Sequence, residues 1–168
     1  MYQTAAKSDV AFDPAPLPHR RVDWGAARHA LARLRADVEG DAIEDFRLAI
    51  DGDQGEERFQ AFLRRPGARA LLRERPDLPG TLDDWATLDR LPPGTLGRRY
   101  AELAREDGVR VADIARASNE REDARERAPD AVRRWFADRM VCNHDLLHTL
   151  TGYGRDVAGE LGLLAFSF

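Results

Sequence analysis

The sequence predicts an all-α protein, a multi-helix bundle with a helical hairpin near its C-terminus that is suited to a metal ion. Three observations lead there. Apolar residues recur at three- and four-residue intervals along most of the 168 residues. No stretch shows the strict alternation of a half-buried strand, and proline or glycine clusters punctuate the periodic segments at helix-like distances. With 43% hydrophobic residues the chain can bury a real core, which predicts one domain over residues 23–168 behind a flexible tail at 1–22.

Residues 12–18 carry Pro14, Pro16 and Pro18 and read as extended chain. Ala27, Leu31, Leu34 and Val38 mark a first helix, and Ile43, Phe46 and Ile50 a second. Asp51-Gly52-Asp53-Gln54-Gly55 then breaks the chain as a turn, since it lacks the twelve-residue ligand pattern and closing glutamate of a calcium loop. Phe59, Phe62 and Leu63, then Ala70, Leu71 and Leu72, are short helical faces on either side of Pro66-Gly67. Thr81, with Asp84 three residues on and Trp85, Leu88 and Leu91 at helical intervals, predicts a capped helix start that Pro92-Pro93-Gly94 ends. Thr95 opens a further helix, with Tyr100 and Leu103 inward, stopping near Gly108. Residues 119–127 are almost wholly charged, a solvated helix face or linker.

Pro129-Asp130 is a natural opening for the longest helix, because proline tolerates the first helical turn. Val132, Trp135, Phe136 and Met140 give that helix its buried stripe. Stepping by four from Val132 reaches Phe136, Met140, His144 and His148, and each step drifts only about 40° around the axis, so both imidazoles are expected to face inward. Asp145 falls within the same arc. A straight helix would carry Glu160 roughly 18 Å beyond His148, so a shared site requires the chain to turn back. Thr151-Gly152-Tyr153-Gly154 supplies that turn, and Arg155 or Asp156 opens the returning helix.

A single histidine on an apolar face is ordinarily a satisfied core residue. Two at this spacing, with an adjacent and a returning carboxylate, favour a metal, because buried Asp and Glu are rare unless paired or metal-bound. The candidate ligands are His144, Asp145, His148 and Glu160; they suit zinc, iron, manganese or cobalt without choosing among them. Asp145 alternatively orients a water or a neighbouring ligand. Cys142 lies at a distant azimuth and reads as a small core or boundary residue; as the one cysteine it excludes an internal disulfide. Residues 94–99 pair a helix start with Arg98 and Arg99, an anion site or simply an ordinary helix N-terminus.

A net charge of -4 from 26 basic and 30 acidic residues, interspersed, leaves no electrostatic footprint for nucleic acid. No apolar run reaches membrane-span length. The first nine residues have neither the pattern of a signal peptide nor, with Asp9 and Asp13 nearby, that of a transit peptide, so a bacterial-type cytoplasmic chain is expected, with peripheral contact at the inner membrane.

The run from His144 through Asp145, His148, Gly152, Gly154 and Asp156 to Glu160 resembles the signature of the Coq4 family of coenzyme Q biosynthesis proteins, His-Asp-x-x-His followed after eleven residues by Glu. Similarity extends upstream through Phe59-Gln60-Ala61-Phe62-Leu63, residues 67–72, and Leu91-Pro92-Pro93-Gly94-Thr95-Leu96-Gly97-Arg98-Arg99-Tyr100, so it spans roughly residue 43 to the end. The resemblance implies a helical fold, zinc as the metal, and a role in ubiquinone biosynthesis. It implies an enzyme that replaces the ring carboxylate of a polyprenylated hydroxybenzoate by a hydroxyl, an oxidative decarboxylation at C1. The alternatives are a noncatalytic lipid-binding scaffold for the biosynthetic complex and an unrelated metal-dependent hydrolase. Asp156 is then a candidate proton shuttle, which helix capping would explain equally, and Tyr153 and Arg155 shape the pocket mouth. Implied partners are the polyprenylated quinone precursor, other ubiquinone biosynthesis proteins and a membrane surface. The apolar end at Leu161, Leu163, Leu164, Phe166 and Phe168 needs a cover. Family members continue with more helices, so the chain reads as C-terminally shortened or as burying this end in a homodimer or larger assembly.

Overall fold

The computed structural model describes residues 15–36, 40–124 and 130–167. All regular structure among them is helical: α1 (Trp24–Ala36), α2 (Gly40–Asp51), α3 (Gln54–Leu63), α4 (Ala68–Glu74), α5 (Leu78–Asp83), α6 (Trp85–Leu88), α7 (Leu96–Asp107), α8 (Val111–Ala124), α9 (Ala131–Thr151) and α10 (Val157–Ser167). None is long and apolar enough to cross a membrane. The expected positions of Val38, Pro129 and Phe168, residues 125–127 of the charged run and residues 1–14 of the expected tail lie outside the described residues. Residues 15–22 form no helix, and the backbone N–H groups of Leu17 and Arg20 donate to Glu56 and Asp53.

The mast of the fold is α9, 21 residues and so about 30 Å long. Asp130 starts it: its Oδ1 accepts from the N–H of Val132 and Arg133 at 3.0 and 2.9 Å, satisfying donors that the first helical turn leaves free. Two cores grip its two halves. Around the N-terminal half, Val132 and Phe136 pack with Phe59 of α3 and Leu72 of α4, the Phe59 and Phe136 rings meeting edge to face at 5.4 Å. Around the C-terminal half, Cys142 is enclosed by Leu82, Leu88, Tyr100, Ala101, Ala104 and Val111 from α5 to α8. Burial, with Asp138 and Asp145 nearby, pushes the Cys142 thiol up to about 12, as suits an inert core residue. The pair α1 and α2 packs on itself through small buried residues such as Ala27, Ala30 and Ala49, and α2 touches α10.

Two elements differ from the sequence reading. The helix expected to start at Thr81 is two short ones, capped by Asp77, which accepts from Gly80 N, and by Asp84, which accepts from Thr87 N. Pro79 is compatible with the first turn of α5, so that helix starts earlier than Thr81. Helix α8, which the sequence reading passed over before its charged end, begins at Val111 with no local cap. Instead Asp83, 28 residues upstream, accepts from Val111 N and Ala112 N at 3.0 and 3.2 Å. A cap supplied from another element leaves no mark in the local sequence.

Arg133 is buried at the foot of α9 yet charged, and every nitrogen of its guanidinium has a partner. Glu56 accepts from Nε and Nη2 at 2.7 and 2.8 Å, Asp130 takes Nη1, the Ala15 carbonyl accepts from Nη2 at 2.8 Å, and the Phe59 ring lies 4.8 Å from the guanidinium carbon. The Arg133 hydrogen bonds outweigh burial and hold Glu56 down at about 2. A carboxyl depressed in the folded state stabilises fully above its ordinary value near 4.5 and stops doing so as pH falls through about 2. Urea unfolding measured across that interval is expected to show a steep acid limb in the wild type, flattened in Glu56→Gln, which is also less stable at pH 7. Parallel limbs would remove Glu56 as their source.

Candidate metal centre

The two arms of the site are α9 and α10, and three local features fold one back on the other. Gly152 closes α9 in the left-handed conformation at φ +75°, its N–H donating to the His148 carbonyl at 2.9 Å. Asp156 opens α10: its Oδ1 accepts from Gly159 N at 2.8 Å and its carbonyl from Glu160 N at 2.9 Å. Gly159 lets the first turn of α10 close on the connection, for a Cβ there would lie 2.0 Å from the Gly154 carbonyl oxygen. Glu160, the next residue, then faces back toward α9.

Its carboxylate meets both imidazoles. Oε2 lies 3.0 Å from His144 Nε2, and Oε1 lies 3.2 Å from His148 Nε2. The two rings stand 5.0 Å apart and nearly perpendicular. One ligand atom from each of His144, His148 and Glu160 falls within 4.8 Å of the others. His148 is 1% exposed, Glu160 19% and His144 35%, so the cluster opens to the surface along the His144 side. That exposure corrects the expectation that both imidazoles face inward: the slow drift of the four-residue stripe turns His144 partly out, while Cys142, Asp145 and His148 carry the buried face.

One proton on His148 follows from its partner. Its Nδ1 sits 3.0 Å from the Tyr153 carbonyl. A carbonyl only accepts, so Nδ1 carries a proton and donates it there. In the neutral ring, Nε2 is left as a buried lone pair with no hydrogen-bond partner, directed to a site where the nearest group is a carboxylate. Two acceptors at 3.2 Å call for a cation between or beside them. A proton is one: burial opposes charging His148, but Glu160 and the Tyr153 carbonyl outweigh it and raise the imidazole above its ordinary value. Burial likewise opposes ionising Glu160, and His144 and His148 override it, holding the carboxyl at about 2. A divalent metal on His144, His148 and Glu160 could satisfy the same acceptors, in competition with that proton.

Asp145 is not brought into this cluster. It is buried beside His148 but engaged elsewhere: its Oδ2 accepts from the Tyr100 hydroxyl at 2.7 Å and its Oδ1 pairs with Arg155. Arg155 Nε in turn donates to Asp107 at the end of α7, at 2.9 Å. Burial, reinforced by the Asp145 charge, drives the Tyr100 phenol far above its ordinary range, so it stays a proton donor. Asp156 also stands outside the cluster, engaged as the cap of α10. Arg98 and Arg99 both pair with Glu102, as surface ion pairs on an ordinary helix start do. Sequence reasoning missed the Tyr100, Asp145 and Arg155 contact. The available signal was a tyrosine and an aspartate both expected inward, each needing a partner for a buried polar group.

The chain's relatives bear on what this arrangement is for. A family model described as coenzyme Q (ubiquinone) biosynthesis protein Coq4 matches residues 57–168. A mitochondrial ubiquinone biosynthesis protein coq4 of Botryotinia fuckeliana is 32% identical over 108 residues, 64% of this chain and 36% of that protein. The mitochondrial COQ4 homolog of Homo sapiens is 31% identical over 98 residues, 58% of this chain and 34% of the relative. The mitochondrial coq-4 protein of Neurospora crassa is 30% identical over 139 residues, 82% and 38% respectively. The chain thus spans little more than a third of the length of these relatives. No solved structure matches it. The mitochondrial names of the relatives overturn the expected bacterial-type cytoplasmic location, which rested on the character of the first residues alone.

Gly159→Ala forces the α10 backbone off the Gly154 carbonyl. The expected cost is about 1–3 kcal/mol, as for overpacking, read as a lower Tm, together with loss of the His144 to Glu160 contact in a crystal structure. An unchanged melt and an intact contact would show that the close approach is not required.

Proposed function

Because the chain belongs to the Coq4 family of coenzyme Q (ubiquinone) biosynthesis proteins, we propose that it serves ubiquinone biosynthesis as a metal-dependent enzyme. The reaction is oxidative decarboxylation at ring C1 of a polyprenylated hydroxybenzoate, carboxyl replaced by hydroxyl, with carbon dioxide leaving and dioxygen as the oxidant that takes up the two electrons. The observation that carries the metal reading is the orphaned Nε2 of buried His148, aimed at the same place as Glu160 and His144. Two imidazoles and one carboxylate suit zinc, iron, manganese or cobalt, with zinc favoured by the family resemblance. When bound, such an ion supplies Lewis acidity to a substrate carboxylate or phenolate oxygen.

The residues themselves do the rest. His148 is the rigid member, locked by the Tyr153 carbonyl with its lone pair inward. His144, at the open side, is the member of the cluster that an incoming substrate would meet first. Tyr100, with its phenol kept protonated, and Arg155 confine Asp145 and keep a further negative charge out of the cluster. Glu160 offsets the positive charge the site gathers.

A second reading, a lipid-binding scaffold that organises the biosynthetic complex, is favoured by the surface around the hairpin. Leu150, Tyr153, Leu161 and Phe166 are exposed on or between α9 and α10, a surface suited to an isoprenoid tail, a membrane, or another subunit of a homodimer or larger assembly. Nothing in the relatives named above favours the hydrolase alternative. As part of the first reading we place the chain, like those relatives, in the mitochondrion.

His148→Ala separates the readings in cells that depend on this protein, with quinone intermediates profiled by mass spectrometry and partner proteins recovered in parallel. Loss of C1 conversion by more than tenfold, with the complex intact and the bound metal gone, is the expected result. Conversion at the wild-type rate would eliminate the enzyme reading and leave the scaffold.

A further inference from the structure

We propose that Arg155 is a positioning residue: clamped between Asp107 and Asp145, it fixes the connection whose Tyr153 carbonyl holds the His148 ring, while Asp145 acts from outside the ligand set. The inference rests on the metal reading above. Arg155 lies two residues beyond Tyr153, in the same short connection between α9 and α10. Its guanidinium ties that connection to α7 through Asp107 and to α9 through Asp145, and Tyr100 of α7 holds Asp145 from behind. The Tyr153 carbonyl is therefore anchored at a fixed height beside His148. That carbonyl selects the Nδ1–H tautomer and leaves Nε2 free to bind, as the outer partners of metal-bound histidines do.

Asp145 could join a metal only by leaving two buried partners. The Tyr100 hydroxyl would lose its acceptor, and Arg155 Nη2, which has no hydrogen-bond partner beyond that ion pair, would be stranded. Stranding buried polar groups costs more than the contacts themselves contribute. In this arrangement Asp145 serves the clamp and stands outside the cluster of His144, His148 and Glu160.

The test uses the full chain labelled with ¹⁵N, wild type and four variants: Arg155→Gln, Tyr100→Phe, Asp145→Asn and His148→Ala. Long-range ¹H–¹⁵N spectra of the metal-free protein read the His148 tautomer, and competition with a chelating dye reads zinc affinity. Arg155→Gln is expected to replace the single Nδ1–H pattern by a tautomer mixture and to weaken zinc about 10–100-fold, the usual effect of losing an outer partner. Tyr100→Phe, which keeps the buried ring, should shift both readouts in the same direction by less. Asp145→Asn should retain one zinc per chain. Wild-type tautomer and affinity in Arg155→Gln would overturn the positioning role, and Asp145→Asn losing zinc as completely as His148→Ala would make Asp145 a ligand. If His148→Ala binds zinc as the wild type does, the metal reading fails, and the metal-free spectra still judge Arg155.

Discussion

One carboxylate set between two imidazoles governs this structure. Along a straight helix Glu160 would stand roughly 18 Å from His148; in the fold its oxygens lie 3.0 and 3.2 Å from the two rings. The whole difference comes from a five-residue connection, from a left-handed glycine at its start and from a second glycine that lets α10 touch the backbone of that connection. Because His148 also leans on a carbonyl within the connection, the turn both delivers Glu160 and orients the ring it meets. A side chain at Gly159 or a looser turn would disturb both at once.

The rest of the bundle keeps α9 where this meeting can happen. Each half of α9 carries one ionic group that burial makes intolerant of movement: Arg133 near its start, held by Glu56 and Asp130, and Asp145 near its end, held by Tyr100 and Arg155. Buried ion pairs add little net stability over apolar packing, but breaking one is costly, so they act as register pins. Between them lie two apolar cores drawn from α3 and α4 on one side and from α5 to α8 on the other. A slide of α9 by one residue would strand charge at both ends.

How much of this the sequence disclosed depends on how local each determinant is. The hairpin, the pairing of His144 with His148 and the return of Glu160 follow from a four-residue spacing and two glycines, all visible within 17 residues. The inward placement of Tyr100 followed from helical periodicity in the same way, whereas Cys142 read only as a core or boundary residue and is fully buried. Determinants that join distant segments stayed hidden. Asp83 caps a helix 28 residues away, and Asp145 finds its phenol 45 residues upstream, so an aspartate beside a metal-type histidine pair reads as a ligand until its partner is seen. The partial exposure of His144 was hidden for a different reason. A four-residue stripe drifts, and only the packing of α10 decides where along it the buried face gives way to the surface.

The account turns on whether a cation sits where the three acceptors converge. The most direct measurement is an anomalous-difference map at the zinc edge from crystals of the chain grown with zinc. The account predicts one peak per chain, contacted by His144 Nε2, His148 Nε2 and the Glu160 carboxylate, with Asp145 still held by Tyr100 and Arg155. Zinc bound elsewhere, or no peak with Glu160 turned to solvent, would contradict it.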